Sequence, residues 1–150
     1  MKFRTLSEIQ SVELAHVGPA HPGALRRRRL ERFADLLEGH AGPVRLFSQI
    51  EAIPSRRIRT MRRDSSPFSI AFVDPVFRAE GLASDTIGDA STFFSLSSSE
   101  THELVCDCHY FGPVNTRIVA ERVRAMAAHP SLVSRLRNFV AGVTRWGASV

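Results

Sequence analysis

Apolar side chains recur along most of this chain at helical rather than strand spacing. Leu30, Phe33 and Leu37 stand at i, i+3 and i+7, which predicts a helix over 24–38 with Gly39 placed to cap its end. Gly42 and Pro43 then open a second predicted helix, in which Leu46, Phe47, Ile50 and Ile53 form the buried stripe and Pro54 is the stop. Between Pro67 and Pro75 the pattern has two readings. Phe68, Ile70 and Phe72 alternate as in a strand, yet the run 68–73 also suits a buried helix. A strand there would need a partner, for which 2–6 and 92–96 are the candidates.

Asp74 followed by Pro75 has the form of an N-cap and first helical position, and Gly81 closes that short helix. The Ser-, Asp-, Thr- and Gly-rich run 83–92 reads as a loop, in which Asp85 and Asp89 lack the spacing of a calcium loop. Ser97 with Glu100 three positions on forms a capping box that predicts a helix over 98–110, terminated by Gly112 and Pro113. A helix over 116–128 buries Val119, Val123 and Met126. Beyond Ser131, the residues Leu132, Leu136, Phe139, Val143 and Trp146 recur at increments of 4, 3, 4 and 3. That stripe predicts a last helix, hairpinned onto 116–128, whose apolar surface serves as core or as the seam of a homodimer.

These elements add up to a mainly α protein. The expected architecture is a compact single-domain helical bundle of five to seven helices spanning 1–150, with a small two-stranded element near 68–73 left open. A chain of 150 residues with 43% hydrophobic and 23% charged residues has ordinary globular composition. No apolar run approaches the roughly 20 residues of a membrane span, and Glu8, Gln10 and Glu13 interrupt the amino terminus. The expectation is therefore a cytoplasmic protein without membrane contact. Cys106 and Cys108 are too close together for an unstrained disulfide and are expected to be reduced.

Charge changes the picture locally. The net charge is +5, but 19 of the 20 basic residues are arginine, a skew that codon bias in a GC-rich genome would also produce. Glu31 lies four positions after Arg27 and three after Arg28, and Asp35 three after Arg32, so a partly self-neutralised solvated face is expected over 26–29. Arg56, Arg57, Arg59, Arg62 and Arg63 stand together without an acid, so this segment is the candidate basic patch. Guanidinium forks suit phosphate or an acidic protein partner, although no aromatic accompanies them to stack on bases.

Candidate chemistry concentrates at 102–109. On a helix His102, Cys106 and His109 share one face, where imidazole and thiolate can hold a zinc-like transition metal, while Cys108 is rotated about 200° away. As a strand the same segment would instead group His102, Cys106 and Cys108. Cys106 also fits as a small core residue, and Glu103 and Asp107 disfavour a reactive thiolate. His16 and His21, set among Gly18, Pro19, Pro22 and Gly23, read as part of a surface loop. No nucleophile elbow, phosphate-binding loop, dinucleotide fingerprint or zinc-protease motif is present. No catalytic residue and no cofactor is therefore assigned. The leading expectation is a non-catalytic interaction or regulatory module that self-associates through Leu132, Leu136, Phe139, Val143 and Trp146. The alternatives are a nucleic-acid-binding protein using 56–63 and a metal- or thiol-dependent protein using the His/Cys cluster.

Overall fold

The computed structural model describes residues 22–129, and among these it contains seven α-helices and no strand. In chain order they are α1 (Pro22–Gly39), α2 (Ser55–Ile58), α3 (Pro67–Val73), α4 (Pro75–Ala79), α5 (Ile87–Phe93), α6 (Ser98–Val105) and α7 (Thr116–Ala128). Short 3-10 turns occupy Ile50–Ala52 and Asp107–His109. None of the described helices is long and apolar enough to cross a membrane. The expected carboxy-terminal helix with its stripe Leu132, Leu136, Phe139, Val143 and Trp146 lies outside the described residues, as do His16 and His21.

The long helix α1 organises the rest. Its expected stripe is fully buried, with Leu30, Phe33, Ala34 and Leu37 all inaccessible to solvent. Its most extensive partner is α7, which turns Val119, Ala120, Val123 and Met126 inward. On another side Phe33 stacks on Phe94 at 4.7 Å between centroids, and Phe77 meets Phe94 edge-on at 5.2 Å. Paired aromatic rings in such geometries add stabilisation beyond the area they bury.

Local signals placed most helix starts. Ser66 caps α3 at the amide of Ser69, Asp74 caps α4 at that of Val76, and Asn115 caps α7 at that of Ile118. Gly81 adopts φ +107 after α4, a conformation that favours glycine. Gly39, by contrast, ends α1 without a left-handed conformation.

The open reading of 68–73 is settled, and two expectations are corrected. Residues 68–73 form helix α3 and no small sheet exists among the described residues: Pro67, Phe68, Ile70 and Ala71 are buried, a helical pattern, while Val73 points to solvent. The predicted loop 83–92 contains α5, whose start is fixed by Thr86 capping Asp89. The predicted helix opened by Gly42 is absent. Its backbone pairs instead with distant chain, Arg45 N donating to Ser65 O at 2.8 Å and Phe47 N to Val105 O at 2.8 Å. Only the turn at Ile50–Ala52 is helical there.

The arginines of α1 also depart from the local expectation. Only Arg27 pairs within the helix, with Glu31. Arg26 reaches Glu100 at 2.7 Å, Arg28 and Arg29 share Glu80, and Arg32 grips the buried carboxylate of Asp74 through two nitrogens at 2.6 and 3.1 Å. Arg32 holds the Asp74 carboxyl below the usual carboxylate range, with the Val76 amide helping. The charged form is thus favoured by folding. Its contribution is complete above the ordinary carboxylate pKa of about 4 and fades as pH falls through the lowered value. Asp74→Asn keeps a capping oxygen but removes the charge, and should cost about 1.5–3 kcal/mol in denaturant unfolding at pH 7. The gap from wild type should shrink steadily below pH about 4. A gap independent of pH would show that the ion pair contributes nothing.

Candidate metal centre

Helix α6 begins with the expected capping box, in which Glu100 N donates to Ser97 Oγ at 3.2 Å and Ser97 N to Glu100 Oε2 at 2.8 Å. It stops at Val105, five residues before the predicted end. The cause is long-range. Phe47 inserts its backbone beside the helix terminus as an isolated parallel bridge with Cys106, occupying the Val105 carbonyl and accepting from Asp107 N at 3.0 Å. A continuing helix would have needed that carbonyl for His109 N. The neighbouring carbonyls are satisfied from outside the helix as well: Arg122 donates to Glu103 O at 3.1 Å, and Tyr110 Oη to Leu104 O at 3.0 Å.

Released from the helix, Cys106 takes an extended conformation and caps the turn Asp107–His109, its Sγ accepting from Cys108 N at 3.4 Å. The turn swings Cys108 back towards Cys106, whereas an unbroken helix would have carried it about 200° away. Glu51 arrives from the other strand of chain. After Phe47, Gln49 adopts a left-handed conformation at φ 55 and Ile50 is buried, which sets the turn carrying Glu51 against the end of α6.

Four donor groups meet there. Ligating atoms of Glu51, His102, Cys106 and Cys108 all lie within 4.8 Å of one another. Glu51 Oε1 accepts from Cys106 Sγ at 3.2 Å and lies 3.3 Å from His102 Nε2. Cys106 is buried, His102 half-buried, and Glu51 and Cys108 are exposed. Donors around a tetrahedral zinc ion stand about 3.3–3.8 Å apart, given bonds of about 2.0–2.3 Å, so the widest separations in the cluster would close by up to about 1 Å around one.

Hydrogen bonds from Cys108, from backbone and from Cys106 hold the Glu51 carboxyl down to about 2. Conversely, the Cys106 contact, partial desolvation and Glu51 push the Cys108 thiol up to about 12. Burial is the main cause that raises Cys106. Both groups are therefore protonated thiols at neutral pH when no cation is near, which is unsuited to thiolate nucleophilic or redox work. The carboxylate responsible is Glu51, not the sequence neighbours Glu103 and Asp107 expected to act.

Of the sequence-derived ligand set, His102 and Cys106 belong to the cluster. His109 does not; its Nε2 lies 2.7 Å from His102 Nδ1, with the two rings edge-on. Such a contact would orient a ligating His102, whose Nε2 faces Glu51. The strand reading groups His102, Cys106 and Cys108, three residues that the cluster also brings together, though for a different physical reason. Glu51 left no trace in the sequence, since nothing local links it to residues some fifty positions on. The basic segment is placed as expected in one respect: Arg56, Arg57, Arg59, Arg62 and Arg63 are all exposed. Helix α2 covers only its first part, however, and Arg62 pairs with Asp85 at 3.2 Å and with Asp64 at 3.6 Å.

Comparison with known proteins finds no matching family model, no matching curated protein and no matching solved structure. The chemistry must therefore be argued from the cluster itself. Both cysteines are free, Cys106 buried and Cys108 exposed. Thiol titration of chelator-treated protein under denaturing, non-reducing conditions should find two groups per chain, and finding none would establish a disulfide instead.

Proposed function

We propose that this protein binds one zinc-like divalent ion through Glu51, His102, Cys106 and Cys108, and that the ion acts as a structural or regulatory clamp. The observation that carries this reading is the convergence of two thiols, an imidazole and a carboxylate within 4.8 Å. Thiolate and imidazole donors select zinc and its soft or borderline neighbours over calcium or magnesium. Four protein donors fill a tetrahedral shell, which is the arrangement of structural rather than catalytic zinc, so the reading remains non-catalytic. The ion would fasten the turn Ile50–Ala52 to the end of α6. Binding requires the two thiols to give up their protons, so affinity rises with pH. A reducing compartment such as the cytoplasm fits this chemistry.

Cobalt(II) titration tests the proposal. One equivalent should produce a thiolate-to-cobalt charge-transfer band and the intense visible bands of tetrahedral coordination, and zinc should bleach both. Glu51→Gln, His102→Gln, Cys106→Ser and Cys108→Ser should each weaken binding. His109→Ala, which removes only the partner of His102 Nδ1, should weaken it by about 10- to 100-fold. Zinc at about 1,000 times its dissociation constant should add about 4 kcal/mol to unfolding stability. A chain that shows no charge-transfer band with cobalt sinks the proposal.

A further inference from the structure

Most arginines among the described residues fall into two groups. Those on α1 and α7 have carboxylate partners: Arg26 with Glu100, Arg29 with Glu80, Arg32 with Asp74, Arg124 with Asp35 and Glu38. Arg45, Arg56, Arg57, Arg59 and Arg63 are exposed, and no ion pair joins any of them to a carboxylate among the described residues. Between 45 and 63 the chain holds six arginines against the single acid Glu51, and that carboxylate accepts from Cys106.

The backbone beneath these arginines is pinned while their side chains stay in water. Ile58 and Met61, set among them, pack against the core. Gly88 N donates to Arg59 O at 2.9 Å and Ile87 N to Met61 O at 3.0 Å. A Cβ on Gly88 would sit 2.9 Å from the Arg59 carbonyl, so that close approach requires glycine. The Arg45 amide donates to Ser65 O at 2.8 Å and the Arg63 carbonyl accepts from Ser66 N at 3.1 Å, so the backbones of both arginines are held at neighbouring residues. Arg62 stays exposed but pairs with Asp85 and so does not share the free population. Beside Arg59, hydroxyls of Ser55, Ser91 and Thr92 line a cavity of about 400 Å³.

We infer that this arginine surface binds the phosphate backbone of duplex nucleic acid without reading its sequence. Guanidinium forks match phosphate oxygens in pairs, and unpaired exposed arginines release counterions on contact with a duplex. An acidic protein partner fits less well. Protein interfaces centre on buried aromatic and aliphatic anchors, whereas the apolar residues of 55–63 face the core and none is aromatic. The missing aromatic also leaves single strands nothing to stack on in this segment. Helix α2, at four residues, is too short to lie in a major groove, which limits contact to the backbone. The inference does not depend on the metal reading.

Full-length protein should be titrated with a short mixed-sequence DNA duplex, a matching RNA duplex and charge-matched polyglutamate over a range of salt. Binding to a duplex should weaken about 10²-fold between 50 and 200 mM salt, as about four phosphate contacts require. The triple variant Arg56→Gln, Arg59→Gln, Arg63→Gln should lower the slope of log affinity against log salt by about three. Because these positions are exposed, the variant should keep the wild-type melting temperature and cobalt response. If it melts early, the pair Arg45→Gln, Arg57→Gln provides the same test with a proportionally smaller change. Preference between the two duplexes identifies the natural source, and binding to either supports the inference. No duplex binding at 50 mM salt, a wild-type salt slope in a folded variant, or polyglutamate binding as tightly as the duplexes would overturn it.

Discussion

Two main-chain hydrogen bonds made by Phe47 set the arrangement around the His/Cys cluster. A helix terminus leaves carbonyls that must find donors, and a segment without regular structure has amides in the same need. Phe47 and the end of α6 satisfy each other, through Phe47 N to Val105 O and Asp107 N to Phe47 O. This one exchange ends α6 and leaves 42–49 non-helical. It also places the chain leading to Glu51 beside the two cysteines. The remaining terminal carbonyls are taken by Arg122 and Tyr110, so the interruption leaves no buried backbone group in need there. The guanidinium of Arg122 also lies 4.1 Å above the Tyr110 ring, bracing the same corner from α7.

Around the cluster the electrostatics are compatible with the proposed cation site. One carboxylate faces two thiols and an imidazole; burial and Glu51 raise the Cys106 thiol against the opposing hydrogen bonds from Cys108, and Cys106, desolvation and Glu51 raise the Cys108 thiol. A divalent ion would replace those shared protons and relieve the crowding of potential negative charge. The hydrogen bond between His102 and His109 adds orientation. Such a clamp would tie together two segments that otherwise meet mainly through the Phe47 exchange.

Charge pairing gives the fold a second layer of order. The α1 arginines act as struts to α4 and α6 and to the chain around them, Arg26 also donating to Met126 O on α7 at 3.0 Å and Arg29 to Phe93 O on α5 at 2.8 Å. Arg29 lies 3.8 Å above the Phe93 ring, so its charge and its flat face are both used. Most of these contacts are partly shielded from water and are worth more than a surface pair. Asp74 and Glu80 flanking α4, Glu100 of α6, and Asp35 and Glu38 of α1 are engaged in this way, while in the basic segment between α1 and α3 Arg62 alone has carboxylate partners among the described residues. The segment's free charge follows from where the carboxylates went.

The sequence alone was enough for the helical class, for α1 and α7 with their buried stripes, and for the caps at Asp74 and Ser97. Each of these rests on residues within about one or two helical turns of each other, where 3.6-residue spacing and capping offsets act directly. It also singled out His102 and Cys106, because unusual chemistry clustered in eight residues is visible at short range. Tertiary structure decided what depended on distant partners. The alternation at 68–73 became a helix because Phe68, Ile70 and Ala71 all had core to face, and a lone strand would have had no ladder to join. Gly42 and Pro43 opened no helix because the amides of Arg45 and Phe47 found acceptors at Ser65 and Val105. Cys108 entered the cluster, and His109 left it, only because α6 was cut short by chain almost sixty residues earlier. Glu51 could not have been assigned from its neighbours, since its role comes from a meeting of two segments whose separation in sequence carries no periodic or capping signal.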